Sequence, residues 1–259
     1  GGLLMQLRVL GCHGGETPKH RTSSFLLGDT VAIDAGAITS SLSLDEQRRI
    51  RSVLVSHPHM DHVRDLATLA DNRCQQGGST LDIVGIPATI EALRKHFFND
   101  VLWPDFTRID AKDGPTVRFV ELEVNQETDV DGYTVKPVLV NHTVDTSAFV
   151  VRQNQSSIVY GGDTGPTEEL WTHINALDDL QALMMEVSFP NDEADLAHSS
   201  RHLTPETLAT ELDKLELSDE LPIFLYHIKP TFEARVLREL AHLRGRNLQI
   251  LQLGDEFLL

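Results

Sequence analysis

Ser56-His57-Pro58-His59-Met60-Asp61-His62 is the stretch on which the reading of this chain turns. It follows the apolar run 53–55 and precedes a segment, 63–73, with helical spacing, so it occupies the end of a buried strand. His57 and His59 stand two apart, and on an extended chain both imidazoles project to one side. Asp61 and His62 fall where the chain turns into the helix and can face the same cavity. Three imidazoles and a carboxylate within six residues are costly to bury unpaired, and a divalent cation pairs them all. Donors so close in sequence cannot all reach one tetrahedral ion, which points to two metals. The alternative is a solvated His-rich loop, but the end of an apolar strand is where open-sheet sites form.

Two metals need further donors, and three more residues stand at the same kind of station. His142 follows the apolar run 135–140, Asp163 follows 158–160, and His227 follows 223–226. A single histidine after a strand is usually structural; three such residues beside the first cluster shift the balance toward ligands.

The rest of the chain reads as strands at 5–10, 25–27, 31–34 and 53–56, with helical spacing at 45–50 and 63–73. Pro87 opens a helix with Ile90, Leu93 and Phe97 on one face. The middle is strand-rich (117–124, 133–140, 148–152, 157–160), and strands and helices then alternate. A helix is expected over 167–174, a strand over 182–187, and a helix capped by Thr204 with Pro205 at its first position and running to 215. A strand at 222–226, an amphipathic helix at 231–243 and strands at 248–253 and 256–259 close the chain. No linker or repeat interrupts this order. It suits an α/β sandwich of two mixed sheets with helices outside, as a single domain over 1–259.

Composition narrows the function. The 259 residues include 39 Asp and Glu against 22 Lys and Arg, a formal net charge of −17. A chain this acidic lacks the basic face that non-specific nucleic-acid binding needs, so nucleic acid is not an expected partner. Twelve histidines point to metal chemistry instead. Cys12 and Cys74 are too few for a disulfide framework and are not spaced as a redox or zinc pair. No apolar run approaches the roughly 20 residues that span a bilayer. The amino end, Gly1-Gly2-Leu3-Leu4-Met5, has no signal-peptide pattern. A soluble, cytoplasmic protein with no membrane partner is expected.

The pattern H-x-H-x-D-H at 57–62, then a distant His142, Asp163 and His227, resembles the metallo-β-lactamase superfamily over essentially the whole chain. The segments Arg21-Thr22-Ser23-Ser24 and Ile33-Asp34-Ala35-Gly36 resemble its opening. The resemblance implies the αββα sandwich with the site at one edge between the sheets. It also implies that His57, His59 and His142 hold one metal, that Asp61, His62 and His227 hold the second, and that Asp163 bridges them. Zinc is the expected metal, with manganese or iron as alternatives.

A narrower resemblance is carried by Gly161-Gly162-Asp163-Thr164-Gly165-Pro166, Glu186-Val187-Ser188-Phe189-Pro190-Asn191, His202-Leu203-Thr204-Pro205 and His227-Ile228-Lys229-Pro230. Together, in this order, they resemble the class II cyclic-nucleotide phosphodiesterases. Val63-Arg64-Asp65 departs from that family, where a hydrophobic residue followed by a small one or glycine is expected. The implied activity is hydrolysis of a small anionic phosphodiester by two metals, with a 3′,5′-cyclic nucleotide as natural substrate and a homodimer among the expected assemblies. His202 resembles the proton-donating histidine of the tRNA 3′-processing endonucleases, with Glu186 as its orienting carboxylate. Asp61, His202 and Glu186 are thus the catalytic candidates, and Lys229 and His202 the candidates for contacting substrate. His202 as an ordinary loop side chain and Lys229 as an ordinary surface lysine are the competing readings. His13, His20, His96, His173, His198 and His242 have no constellation around them in the sequence. The competing functions are a tRNA 3′-processing enzyme, a lactonase or β-lactamase, an iron-dependent oxidoreductase, and a non-catalytic metal-binding protein.

Overall fold

The computed structural model of the chain describes residues 4–259, so Gly1–Leu3 lie outside the described residues. Two seven-stranded sheets pack face to face with helices outside, the αββα sandwich expected. The first sheet runs in the order Glu256–Leu258, Gln6–Gly11, Ser24–Leu27, Val31–Ile33, Ser52–Leu54, Leu81–Gly85, Val117–Glu121. The second runs Asn247–Ile250, Pro222–Tyr226, Leu180–Glu186, Ser156–Tyr160, Thr146–Gln153, Tyr133–Val140, Thr128–Val130.

Strand alternation builds three layers of core. Phe25 and Leu27 point between the sheets and meet Phe149, Tyr160 and Tyr226, while Leu26 points outward with Val53, Leu66 and Leu93. Across the sandwich, Met184 faces inward, and Leu183 and Met185 face outward onto Trp171, Leu208 and Val236. Strands buried on both faces are why stretches such as Pro222–Tyr226 are apolar throughout rather than alternating.

Several boundaries differ from the sequence expectation. The helix expected over 63–73 is broken into Met60–Val63 and Leu66–Gln76, because Asp65 at the junction is pinned to another loop. Its carboxylate accepts the Thr39 N–H at 2.9 Å, and its own N–H donates to Ala35 O at 2.8 Å. The expected helix over 231–243 is Glu233–Leu240, entered through a 3₁₀ turn at Pro230–Phe232, which leaves His242 beyond the helix rather than on it. Leu81–Gly85, an interior parallel strand, has no counterpart in the sequence reading. No helix among the described residues is long and apolar enough to cross a membrane.

Candidate metal centre

His57, His142, Asp163 and His227 lie just beyond strand ends, and Asp61 and His62 lie in the short helix that follows His57 and His59. Two of the strand ends around the site are conformationally forced. Asp34 follows Val31–Ile33 with φ of 56°, and His227 follows Pro222–Tyr226 with φ of 74°. Non-glycine residues in the left-handed region cost about 1–3 kcal/mol each and persist only where the surroundings over-determine them. For His227 the surroundings are visible: its N–H donates to Cys12 O at 2.7 Å, and Tyr226 O accepts from Val187 N–H at 2.9 Å. Gly36 is needed for a different reason: a Cβ there would lie 2.3 Å from the Asp61 carbonyl oxygen.

The seven residues expected as ligands converge. Donor atoms of His57, His59 and His142 lie within 4.8 Å of one another, as do those of Asp61, His62, Asp163 and His227. Asp163 joins the two groups. Its Oδ2 is 3.1 Å from His62 Nε2, 3.2 Å from His227 Nε2, 3.6 Å from His57 Nε2 and 4.0 Å from His142 Nε2.

Four of the imidazoles are tethered in the same way. His62 Nδ1 donates to Asp34 Oδ2 at 2.7 Å, and His142 Nδ1 to Arg201 O at 3.1 Å. Ser56 Oγ gives its own proton to Asp34, so it accepts from His57 Nδ1 at 3.0 Å; Ser188 Oγ gives its proton to Glu186 and accepts from His227 Nδ1 at 2.8 Å. These networks assign the proton to Nδ1 and turn every Nε2 toward Asp163. His57 Nε2 and Asp163 Oδ1 are buried there without a hydrogen-bond partner. Buried polar atoms are rarely left so, and a divalent cation is the partner that this donor set fits.

Charge divides the site. Burial pushes His142 down to about 4, and burial followed by the neighbouring His62 holds His57 well below the ordinary imidazole value. Burial opposes the charged form of His227 too, but the Asp163 carboxylate outweighs it and lifts this imidazole to about 9. His62 is likewise held well above its usual value, by Asp163, Asp34 and Asp61 against burial. In return, His227 and His62 hold Asp163 well below the carboxylate range despite its burial.

His202 sits against the cluster, its ring 5.0 Å from those of His142 and His227 and stacked on the latter at 21°. Its Nδ1 donates to Glu186 Oε1 at 2.6 Å, the pairing expected. Glu186 is fully buried and also accepts from Thr164 N–H at 3.0 Å and Ser188 Oγ at 2.7 Å. Thr204, next but one after His202, caps the helix Pro205–Leu212 through the Thr207 N–H and so fixes where this loop ends. Lys229 is half-buried beside this pair, its Nζ 5.9 Å above the Phe189 ring, which in turn lies 5.8 Å from His202. The unexpected Arg64 turns away to pair with Glu16 and donates to Gly36 O at 2.9 Å, bracing the loop beneath Asp61.

One residue of the site, and a separate cluster outside it, went unread in the sequence. Asp34 binds Ser56, His62 and the Tyr160 hydroxyl (2.6 Å), so it orients two of the imidazoles, directly or through Ser56; its place after an apolar strand was the available signal. His13 and His20 do have a constellation, contrary to expectation: donor atoms of both lie within 4.8 Å of each other and of Glu233. Residues 220 positions apart in the chain meet only through the fold.

Comparison with known proteins supplies a frame for this geometry. Residues 29–227 match the family described as "Beta-lactamase superfamily domain". A probable 3′,5′-cyclic-nucleotide phosphodiesterase from Yersinia pestis is 28% identical over 87% of this chain and 78% of its own length. A 3′,5′-cyclic-nucleotide phosphodiesterase from Aliivibrio fischeri is 25% identical over 85% of this chain and 80% of its own. The crystal structure of unliganded yeast PDE1 superposes with a TM-score of 0.84 over 100% of both chains at 20% identity, a likeness of fold.

Proposed function

Because this chain belongs to the β-lactamase superfamily and is a metal-dependent hydrolase, we propose that it hydrolyses small phosphodiesters with two metal ions, a 3′,5′-cyclic nucleotide being the natural substrate. The observation that carries the reading is Asp163. One carboxylate oxygen lies 3.1–4.0 Å from four imidazole nitrogens of two donor groups, and the other oxygen is buried without a partner. In this reading His57, His59 and His142 hold one ion, Asp61, His62 and His227 the other, and Asp163 both. Divalent cations there would supply Lewis-acid neutralisation of the phosphate anion and a lowered pKa for water. They would also place positive charge where a strongly acidic chain must admit an anion.

The chain's own residues do the rest. His202 in its imidazolium form carries a proton on Nε2, while Nδ1 is held by Glu186, so the ring is fixed with one proton facing the cluster. That proton goes to the departing alkoxide oxygen. Glu186 stabilises the charged ring before transfer and keeps the tautomer afterwards. Lys229, whose Nζ lies over the Phe189 ring, would meet a non-bridging phosphate oxygen. Zinc suits a nitrogen-rich donor set of this kind.

The similarity to cyclic-nucleotide phosphodiesterases and the net charge of −17 both support a small substrate over RNA. The test is a direct comparison of kcat/KM on cyclic AMP and on a 3′-extended tRNA. Preference for cyclic AMP is expected; preference for the tRNA would overturn the choice of substrate.

A further inference from the structure

Next to the segment carrying His227, His13 and His20 of one loop meet Glu233 of a distant helix. His13 lies in a stretch bridged to Thr22 on one side and Ile228 on the other. His20 closes a tight turn in which Thr17 and His20 exchange two backbone hydrogen bonds of 3.1 Å. Glu233 is the first residue of the helix Glu233–Leu240. The two rings stand edge to face at 4.6 Å, and His20 Nε2 is 2.9 Å from Glu233 Oε2.

We propose that these three residues form a peripheral cation site of the zinc class, distinct from the central cluster. One donor atom from each lies within 4.8 Å of the other two, close enough to converge on a single ion with small rotamer changes. One nitrogen of each ring is already hydrogen-bonded: His13 Nδ1 accepts the Arg21 N–H at 3.1 Å, and His20 Nδ1 lies 2.5 Å from Thr17 Oγ1. A hydroxyl on the remote nitrogen, as Thr17 supplies to His20, orients a metal-binding imidazole and leaves its other nitrogen to the ion. Two imidazoles and one carboxylate make a zinc donor set with a position to spare, whereas calcium and magnesium favour oxygen alone. The spare position has room, because the three residues border a cavity of about 580 Å³ floored by Leu225, Leu237 and Leu251.

An ion there would tie the loop of residues 13–20 to the helix Glu233–Leu240. The same loop is joined to the segment carrying His227: Cys12 O accepts the His227 N–H at 2.7 Å, and Gly14 N–H donates to Ile228 O at 3.0 Å. The peripheral site therefore backs directly onto one donor of the central cluster.

The experiment strips the full chain with chelator, reloads it with zinc, removes unbound metal and measures zinc per chain in wild type, His20→Gln and Glu233→Gln. Glu233→Gln keeps the side-chain shape and a hydrogen-bond acceptor for His20, so folding is preserved if His20→Gln proves disruptive. One zinc fewer per chain in the variants is expected, and cobalt reloading should show the matching loss of one set of tetrahedral absorption bands. This difference is read whatever number of ions the central cluster takes. Equal zinc in wild type and Glu233→Gln would overturn the site and leave His20 and Glu233 as a hydrogen-bonded pair. Loss of the central ions as well would overturn its separateness.

Discussion

The trio of His57, His59 and His142 and the quartet of Asp61, His62, Asp163 and His227 meet across one carboxylate; burial disfavours the charged imidazole in both, yet the net outcome is opposite. In the trio no carboxylate belongs to the group, so desolvation dominates and keeps the imidazoles neutral, His142 down to about 4. In the quartet two carboxylates outweigh desolvation and hold the imidazoles charged, His227 up to about 9. Neutral imidazole is the form that binds a metal. On the proposed reading the trio would take a cation without losing protons, whereas the quartet would release protons in exchange. The difference teaches that, in the two-metal reading proposed above, the two half-sites would respond differently to pH while sharing Asp163.

The strongest way to break this picture is at the shared residue. Asp163→Ala should lose both central ions and reduce phosphodiester turnover to background, as measured by metal content and cyclic AMP hydrolysis. Retention of the trio's ion would show the halves to be independent. His202→Ala should leave metal content unchanged and slow esters with poor leaving groups by about 10²–10⁴-fold, because a basic alkoxide needs the proton. A p-nitrophenyl ester, whose leaving group departs without much protonation, should lose little. Equal loss on both substrates would make His202 a phosphate contact. Loss of metal would make it a ligand, a geometry that the approach of His142, Asp163 and His202 donor atoms within 4.8 Å permits.

A subtler change sharpens the contrast between halves. Asp34 accepts from His62 Nδ1 at 2.7 Å and reaches the trio only through Ser56. Asp34→Asn should therefore weaken metal binding in the quartet by about 10–100-fold and in the trio by less, as read by competition with a chelating dye. Equal weakening would show that the two halves share their support.

The smallest effect expected is on the stability of chelator-treated protein against pH, with a sign for each half. His142 is depressed on folding, so its contribution is present above the ordinary imidazole value and is lost as pH falls toward about 4. His227 is raised, so its contribution is present below the ordinary value and is lost as pH rises through about 9. Thermal melts should show His142→Asn flattening the acid limb and His227→Asn flattening the alkaline limb. The same limb affected by both would erase the distinction.

Much of this centre was legible in the sequence because its residues sit at strand ends. The spacing of His57, His59, Asp61 and His62 projects donors from one turn of chain, and His142, Asp163 and His227 each follow an apolar run. The sandwich was legible for the same reason, since buried strands such as Pro222–Tyr226 announce themselves. What could not be read depends on long-range pairing. Asp34 reaches Tyr160, 126 residues away, and His20 reaches Glu233, 213 residues away. Leu81–Gly85 was missed because its five residues include Asp82 and end on a glycine, a weak strand pattern that lateral pairing to Ser52–Leu54 and Val117–Glu121 overrides. The break at Arg64 and Asp65 is likewise imposed from outside, by Gly36, Thr39 and Glu16.

The central claim, a pair of ions sharing Asp163, is tested most directly by zinc titration of the Glu233→Gln protein, from which the peripheral donor set is removed. Zinc content and cyclic AMP turnover are followed together as metal is added to chelator-stripped protein. Two ions per chain are predicted, with turnover appearing as the second is bound. Saturation at one ion per chain, or full turnover with a single ion, would contradict the account.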